Sequence, residues 1–519
     1  MRMNRFFRKA ILFLLCLLTV LPLAQASATE AESEEPVQAK QLNGFQCIRN
    51  VAGFNSYRYL FDGIIKDGQR THMDSSFTLR YAEGIGSLYM IFQKPYGEYT
   101  ITNNDTGEVC TVGKDLFIHE FLDMNELFGS APVSVTVNFS NGGVRLNEVI
   151  IYSQGQVPDT VQRWNQPVDG QTDLILFSTH GDDEHLFFAG ILPYYAGELG
   201  YQVQVVYLTD HHNDNTMRVH EMLNGLWAVG IDTYPVFGPF EDFLVAKKEQ
   251  CYNSFKILGW TEEDLLGFVV TQMRRFKPKV VVAHDFQGEY GHGQHMLYAD
   301  LVARSLELSP DPEQFPELAE QYGVWDVPKA YFHLYKENEI VMDWDKPLER
   351  FGGETAFWTS IRKGFYCHAT QVNDFAWYYL GTKDAKGVAL YNPCYYGLYR
   401  STVGEDVEKN DFFENVTTYA EDARIAEEMR LEAERLAEEA RKAEESRLAE
   451  EARKAEEAAK QALERQRAEE ERIAQQARLE REAQAQQKKR MQIFACSVCA
   501  MAILAGMSLK LLPEKYRKK

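Results

Sequence analysis

The chain has 519 residues, more than one hydrophobic core usually organises, so two or more domains are expected. Its 76 Asp and Glu outnumber 55 Lys and Arg, for a net charge of −21, which argues against a nucleic-acid partner. Of its eight cysteines, only Cys496 and Cys499 form a CxxC pair, and they lie in an apolar C-terminal stretch, so a thiolate metal site has no support.

At the N-terminus, Arg2, Arg5, Arg8 and Lys9 precede an apolar run from Ala10 to Leu23 and the small residues Ala26-Ser27-Ala28. This pattern predicts a secretory signal peptide over residues 1–28. Residues 29–42 are acidic, lack periodicity and read as a linker. Residues 43–158 predict an all-β sandwich: Ser76–Tyr81, Ser87–Phe92, Tyr99–Thr102, Val133–Phe139 and Leu146–Tyr152 alternate with turn-forming clusters. The segments Leu60-Phe-Asp-Gly63 and Leu146–Tyr152 resemble those of galactose-binding-like sandwiches, for which carbohydrate binding and a spacer role both stand open. Without the ends, Cys47, Cys110, Cys251, Cys367 and Cys394 remain, an odd number that leaves at least one outside any intramolecular disulfide. Cys47 and Cys110, alone in the β-rich region, are expected to pair in an oxidising exterior; Cys367 and Cys394 are a second candidate pair.

Residues 170–415 predict a Rossmann-like α/β domain. Its strands are Leu174–Thr179, Val203–Thr209 and Lys279–His284, and its helices His185–Gly200, Met217–Gly230, Glu262–Phe276 and His295–Leu308. Residues 421–490 consist almost wholly of Ala, Glu, Arg, Lys, Gln and Leu, and the block Arg435–Ser446 recurs as Arg447–Ala458. Strong helix formers with opposite charges at helical spacing predict a long α-helical stalk, solitary or a coiled coil that self-associates. Residues 491–512 predict a transmembrane helix and residues 513–519 a basic cytoplasmic tail.

Two segments carry chemistry. In the first, an apolar strand runs into His180-Gly-Asp182-Asp183-Glu184; in the second, another runs into His284 and a Gly-rich loop before His292 and His295. Loops after the strands of an open α/β sheet form its ligand crevice. His-x-x-Asp with one further His makes a two-His, one-carboxylate metal site, and the adjacent Asp182 is placed to act as general base.

With Thr179-His-Gly-Asp-Asp-Glu184 and Gly291-His-Gly-Gln-His295, the region 170–400 resembles the PIG-L/LmbE-like de-N-acetylases. Arg218-Val-His-Glu221, Ala228-Val-Gly230, Lys363 and His368-Ala-Thr-Gln371 are similar to further family elements. The resemblance implies one zinc ion per chain on His180, Asp183 and His295, with Asp182 as base, His292 acting on the oxyanion or as acid, and Arg218 touching substrate. Gly181 stands where the family has Pro, Gly293-Gln294 where it has Pro-Asp, and Thr370 where it has Ser. Gly181 is expected to loosen its loop and Gln294 to alter the support of the ligands. His185, His211, His212 and His220 are expected to be pocket-wall or surface residues, and Asn213 and Asp214 to line a sugar pocket.

The sequence thus describes a membrane-anchored, exported hydrolase that deacetylates an N-acetylated glycan or glycolipid. Its rivals are a catalytically degenerate glycan-binding surface protein, disfavoured by the intact Asp182, and a structural stalk protein.

Overall fold

The computed structural model describes residues 37–67, 69–71, 73–210 and 216–510. The signal sequence, His211, His212, Asn213, Asp214 and the basic tail lie outside the described residues. Two units are described, one ending at Tyr419 and the other beginning at Ala420.

The N-terminal part of the first unit is built from β1 (Gln41–Leu42), β2 (Ile48–Ala52), β3 (Gln69–Arg70), β4 (Ser75–Arg80), β5 (Ser87–Phe92), β6 (Tyr99–Asn103), β7 (Val109–Val112), β8 (His119–Asp123), β9 (Ser134–Phe139) and β10 (Arg145–Tyr152). These strands form two five-stranded antiparallel sheets. One runs β1-β10-β5-β8 with β3 beside β10; the other runs β2-β4-β9-β6-β7. Inward side chains from both sheets, among them Phe77, Leu79, Leu88, Met90, Ile101, Val137 and Val149, share one core.

Among the described residues Cys47, Cys110, Cys251, Cys367 and Cys394 are free thiols, so neither expected disulfide is formed. Cys110 lies on β7 and Cys47 directly precedes β2, and these strands are opposite edges of one sheet. Four inter-strand steps of ~4.8 Å separate such edges by roughly 19 Å, far beyond the reach of a disulfide.

The second part of this unit centres on a seven-stranded sheet ordered β13-β12-β11-β14-β15-β17-β16. Its strands are β11 (Leu174–Ser178), β12 (Val203–Thr209), β13 (Val236–Phe240), β14 (Val280–Ala283), β15 (Lys329–His333), β16 (Glu339–Val341) and β17 (Tyr395–Ser401). The first five are parallel, and β17 and β16 close the sheet in antiparallel fashion. Apolar runs such as Leu-Ile-Leu-Phe in β11 follow from burial on both faces. Leu174, Leu176, Val280 and Val282 pack on one face; Ile175, Phe177, Val281 and Ala283 pack on the other. Helix α1 (Thr216–Ala228) lies between the sheet and the sandwich, and α2 (Lys248–Leu258), α3 (Glu262–Phe276) and α4 (Gly293–Leu308) follow in order. The junction with the sandwich is buried: Ile118, Val219, Leu223 and Tyr234 pack together, and His119 Nε2 is 3.1 Å from His220 Nδ1.

The expected helix over His185–Gly200 is replaced by turns through Gly190 and a short π-helix, Leu192–Glu198. Gly190 has φ +100°, and a Cβ there would sit 2.5 Å from the Trp344 ring; Pro193 then removes a backbone donor.

The described residues of the second unit are all helical, within α5 (Tyr419–Lys510). Arg430 and Arg435 each bridge Glu residues three back and four ahead, the pattern expected to support a solvated helix. An 18-residue stretch of it has mean hydropathy 1.6 and is long and apolar enough to cross a membrane.

Candidate metal centre

Strand order reverses between β11 and β14, and the ligand crevice of such a sheet lies at the carboxyl ends of the strands flanking that point. His180 follows β11 and His284 follows β14. The turn after β11 is pinned from both sides. Thr209 Oγ1 donates to Thr179 O at 2.9 Å, and Thr179 N donates to His284 Nε2 at 3.0 Å. That bond makes His284 Nε2 an acceptor, with its proton on Nδ1, which faces Glu289 Oε2 at 2.8 Å.

The same reasoning assigns the other two rings. His295 Nδ1 donates to Glu289 Oε2 at 2.8 Å, which leaves a lone pair on Nε2. His180 Nε2 faces two acceptors, Asp242 Oδ1 at 3.2 Å and Gln294 Oε1 at 3.3 Å, which leaves a lone pair on Nδ1. Those lone pairs meet: His180 Nδ1 is 3.1 Å from His295 Nε2 and 3.1 Å from Asp183 Oδ2, and His295 Nε2 is 3.2 Å from the same oxygen. Ligand atoms around a tetrahedral zinc at 2.0–2.1 Å stand about 3.3 Å apart, so this triangle fits a metal ion. The second oxygen of Asp183, Oδ1, is buried without a hydrogen-bond partner.

The field at the triangle favours positive charge: without a metal ion, protons occupy the two ring lone pairs that face it, and a cation bound there would displace them. Burial opposes charge on His180, yet Asp242 and Asp183 hold its pKa well above the ordinary value. Burial opposes charge on His295 too, but Asp183 and Glu289 raise it to about 9. Glu289 accepts as well from His333 Nδ1 at 2.7 Å, and despite full burial its histidines, His284 first, keep it ionised, with a pKa well below the usual range.

Asp182 lies beside the triangle with its Oδ2 3.6 Å from Arg218 Nη2. Burial pushes its carboxyl up to about 6 against the pull of Arg218, with Asp183 adding to the rise. Arg218, near the start of α1, also donates to Gly181 O at 3.3 Å. His292 caps α4 and packs edge-on against His180 at 4.9 Å between ring centroids; its Nδ1 is buried without a hydrogen-bond partner. Burial and the charges of His180 and His295 push His292 down to about 3, so its ring is neutral.

All six residues singled out in the sequence therefore converge. Reading by motif gave no role to Glu289, Asp242, His284 or His333. Glu289 had a signal, a carboxylate inside the Gly-rich loop before His292; Asp242 had none, lying just beyond the Gly-Pro-containing strand β13. His185 and His220, expected on a wall or surface, are fully buried. His185 belongs to a second group with Glu184 and His368, each wholly enclosed. Gly181 is needed for close packing: a Cβ there would fall 2.3 Å from Met222 Sδ. Thr370 Oγ1 donates to Glu221 Oε2 at 2.6 Å, tying the His368 segment to α1.

A profile of the family described as PIG-L, GlcNAc-PI de-N-acetylase, matches residues 175–306. These residues are a PIG-L family domain. The 1D-myo-inositol 2-acetamido-2-deoxy-alpha-D-glucopyranoside deacetylase of Streptomyces avermitilis is 25% identical over 290 residues, covering 47% of this chain and 97% of that protein. The enzyme of the same description from Streptomyces scabiei is 22% identical over 293 residues, covering 47% and 89%. Among solved structures, N,N'-diacetylchitobiose deacetylase from Pyrococcus horikoshii aligns over 43% of this chain and 82% of its own, at 12% identity and TM-score 0.27. The relatives of the PIG-L domain are thus deacetylases of GlcNAc-type sugars.

Proposed function

We propose that the protein is an exported, membrane-anchored, zinc-dependent hydrolase. It removes acetyl groups from N-acetylglucosamine-type amino sugars of a surface glycan, cell-wall polymer or glycolipid. The observation that carries this reading is the triangle of His180 Nδ1, Asp183 Oδ2 and His295 Nε2 with Asp182 beside it, inside a PIG-L domain. One zinc per chain, held by these three side chains, would supply Lewis-acid polarisation of the amide carbonyl and acidify water.

The chain's own groups do the rest. Asp182, with its carboxyl pushed up to about 6, is suited to take a proton from the attacking water and return it to the departing amine. Arg218 keeps that carboxylate oriented and, as the family resemblance implies, touches the sugar. His292, neutral and with an unengaged Nδ1, is placed to donate toward the oxygen that gains charge as the amide is attacked. The products are acetate and the free amino sugar.

Export rests on the N-terminal signal pattern, and anchoring on the apolar end of α5. Acetate release from a panel of GlcNAc-containing glycans tests the activity, and no release from any of them would refute it. Truncation after Gln487 tests the anchor: a truncated chain as membrane-bound as the full one would remove it.

A further inference from the structure

We propose that Asp242 is a positioning residue that sets how strongly His180 binds the metal. The inference rests on the metal reading above and concerns the face of His180 turned away from it.

His180 Nε2–H has two acceptors, and they differ in strength. Gln294 Oε1 at 3.3 Å is a neutral amide oxygen that already accepts from Phe243 N at 2.9 Å. Asp242 Oδ1 at 3.2 Å is a carboxylate oxygen, and charge-assisted hydrogen bonds are roughly twice as strong as neutral ones. A carboxylate on the distal N–H of a ligating imidazole fixes its tautomer and raises the basicity of the nitrogen facing the metal. Glu289 does this for His295 from full burial; Asp242 does it for His180 with its side chain 42% exposed.

The chain delivers Asp242 by a specific device. Gln294 grips both neighbours of Asp242: its Nε2 donates to Glu241 O at 2.7 Å while its Oε1 holds Phe243 N. The preceding residue takes the rest of the segment, since Gly293 N donates to Val245 O at 2.6 Å. A Cβ on Gly293 would lie 2.6–2.7 Å from backbone atoms of Lys247. Gly293 and Gln294 therefore seat residues 241–247 across the start of α4, and the seat presents one carboxylate to His180.

The test is zinc affinity of the full-length chain in detergent, measured by competition with a chelator. Asp242→Asn keeps the shape and removes the charge at an exposed position; it should weaken zinc binding about 10–100-fold. The zinc-free variant should still fold, as its far-UV circular dichroism would show, with at most a modest drop in unfolding temperature because Asp242 no longer supports charge on His180. Asp242→Glu keeps a carboxylate within reach of the same proton and should retain most of the affinity. Wild-type affinity in Asp242→Asn, or equal losses in the Asn and Glu variants, would overturn the proposal while leaving the metal site standing. A wild-type chain that took up no zinc would overturn the metal reading itself, before any substitution.

Discussion

Asp183 and Glu184 are neighbours in sequence, yet each belongs to a different buried cluster of histidines. Around His180 and His295, the carboxylates Asp183, Glu289 and Asp242 lie at 2.8–3.2 Å from ring nitrogens, so every proton has an owner and two lone pairs are left facing one point. Beside His185 and His368 lies the carboxyl of Glu184, at 3.6 and 3.9 Å, already accepting from Tyr207 OH at 2.7 Å. Burial dominates there: it raises Glu184 well above the carboxylate range, helped by the charges of Asp182 and Asp183 against the Tyr207 bond, and lowers His185 to about 3. The same residue types thus give a field suited to a cation or one that is not, depending on how many carboxylates reach hydrogen-bond distance.

The largest effects should come from the charged cluster. His180→Ala, Asp183→Ala and His295→Ala should lose zinc and activity together. Asp182→Asn should keep about one zinc per chain while turnover falls about 10²–10⁴-fold, as for the loss of a general base. Near-normal turnover in Asp182→Asn, or full zinc in His295→Ala, would reject these roles. Glu289→Gln should come next. It leaves three imidazoles around a neutral amide, so a destabilisation of about 3–5 kcal/mol is expected, with weaker zinc binding. Unfolding and metal-affinity measurements on that variant would show whether Glu289 is the support that the geometry assigns.

What was legible in the sequence followed the physics of burial. β12 and α3 were read to the residue, because a strand buried on both faces is a continuous apolar run and a Thr-capped amphipathic helix announces both ends. β13 was missed because Val-Phe-Gly-Pro-Phe carries two residues that disfavour strands. Five of the six site residues were legible as two strand-ending motifs and Arg218 through the family resemblance, whereas Asp242 and His333 reach the site only through tertiary packing, which spacing cannot report. The cysteines failed for the same reason: being alone together in one region says nothing about lying on opposite edges of one sheet.

Glu120 extends the comparison into the sandwich as a half-buried carboxyl. It lies on β8 and accepts a hydrogen bond from Tyr99 OH on β6, linking the two sheets. Burial pushes it up to about 7, although the Tyr99 bond and the Gly113 N–H pull the other way. A folded pKa above the unfolded one means a contribution fully present below pH ~4.5 and lost as pH rises through ~7. Relative to Glu120→Gln, the wild-type chain should therefore lose stability across that window, by up to about 3 kcal/mol. A difference between the two chains that did not vary with pH would mean that Glu120 stays ionised in the folded state.

The smallest effect tests the neutral cluster directly. Neither nitrogen of His185 has a hydrogen-bond partner, though the ring is completely buried, packed beside His368 and close to Gly364. An imidazole in that position brings its volume and pays the desolvation of its N–H. Leucine brings slightly less ring contact and no polar atom, so the two terms offset. His185→Leu should change stability by no more than about 1 kcal/mol, since removing an unsatisfied buried polar group recovers part of the packing loss. Zinc content should stay at about one per chain, because this cluster holds none of the three ligands. Loss of a bound metal equivalent in His185→Leu, with the fold intact, would show that the second cluster is also a cation site and would break the distinction drawn from its carboxylate count.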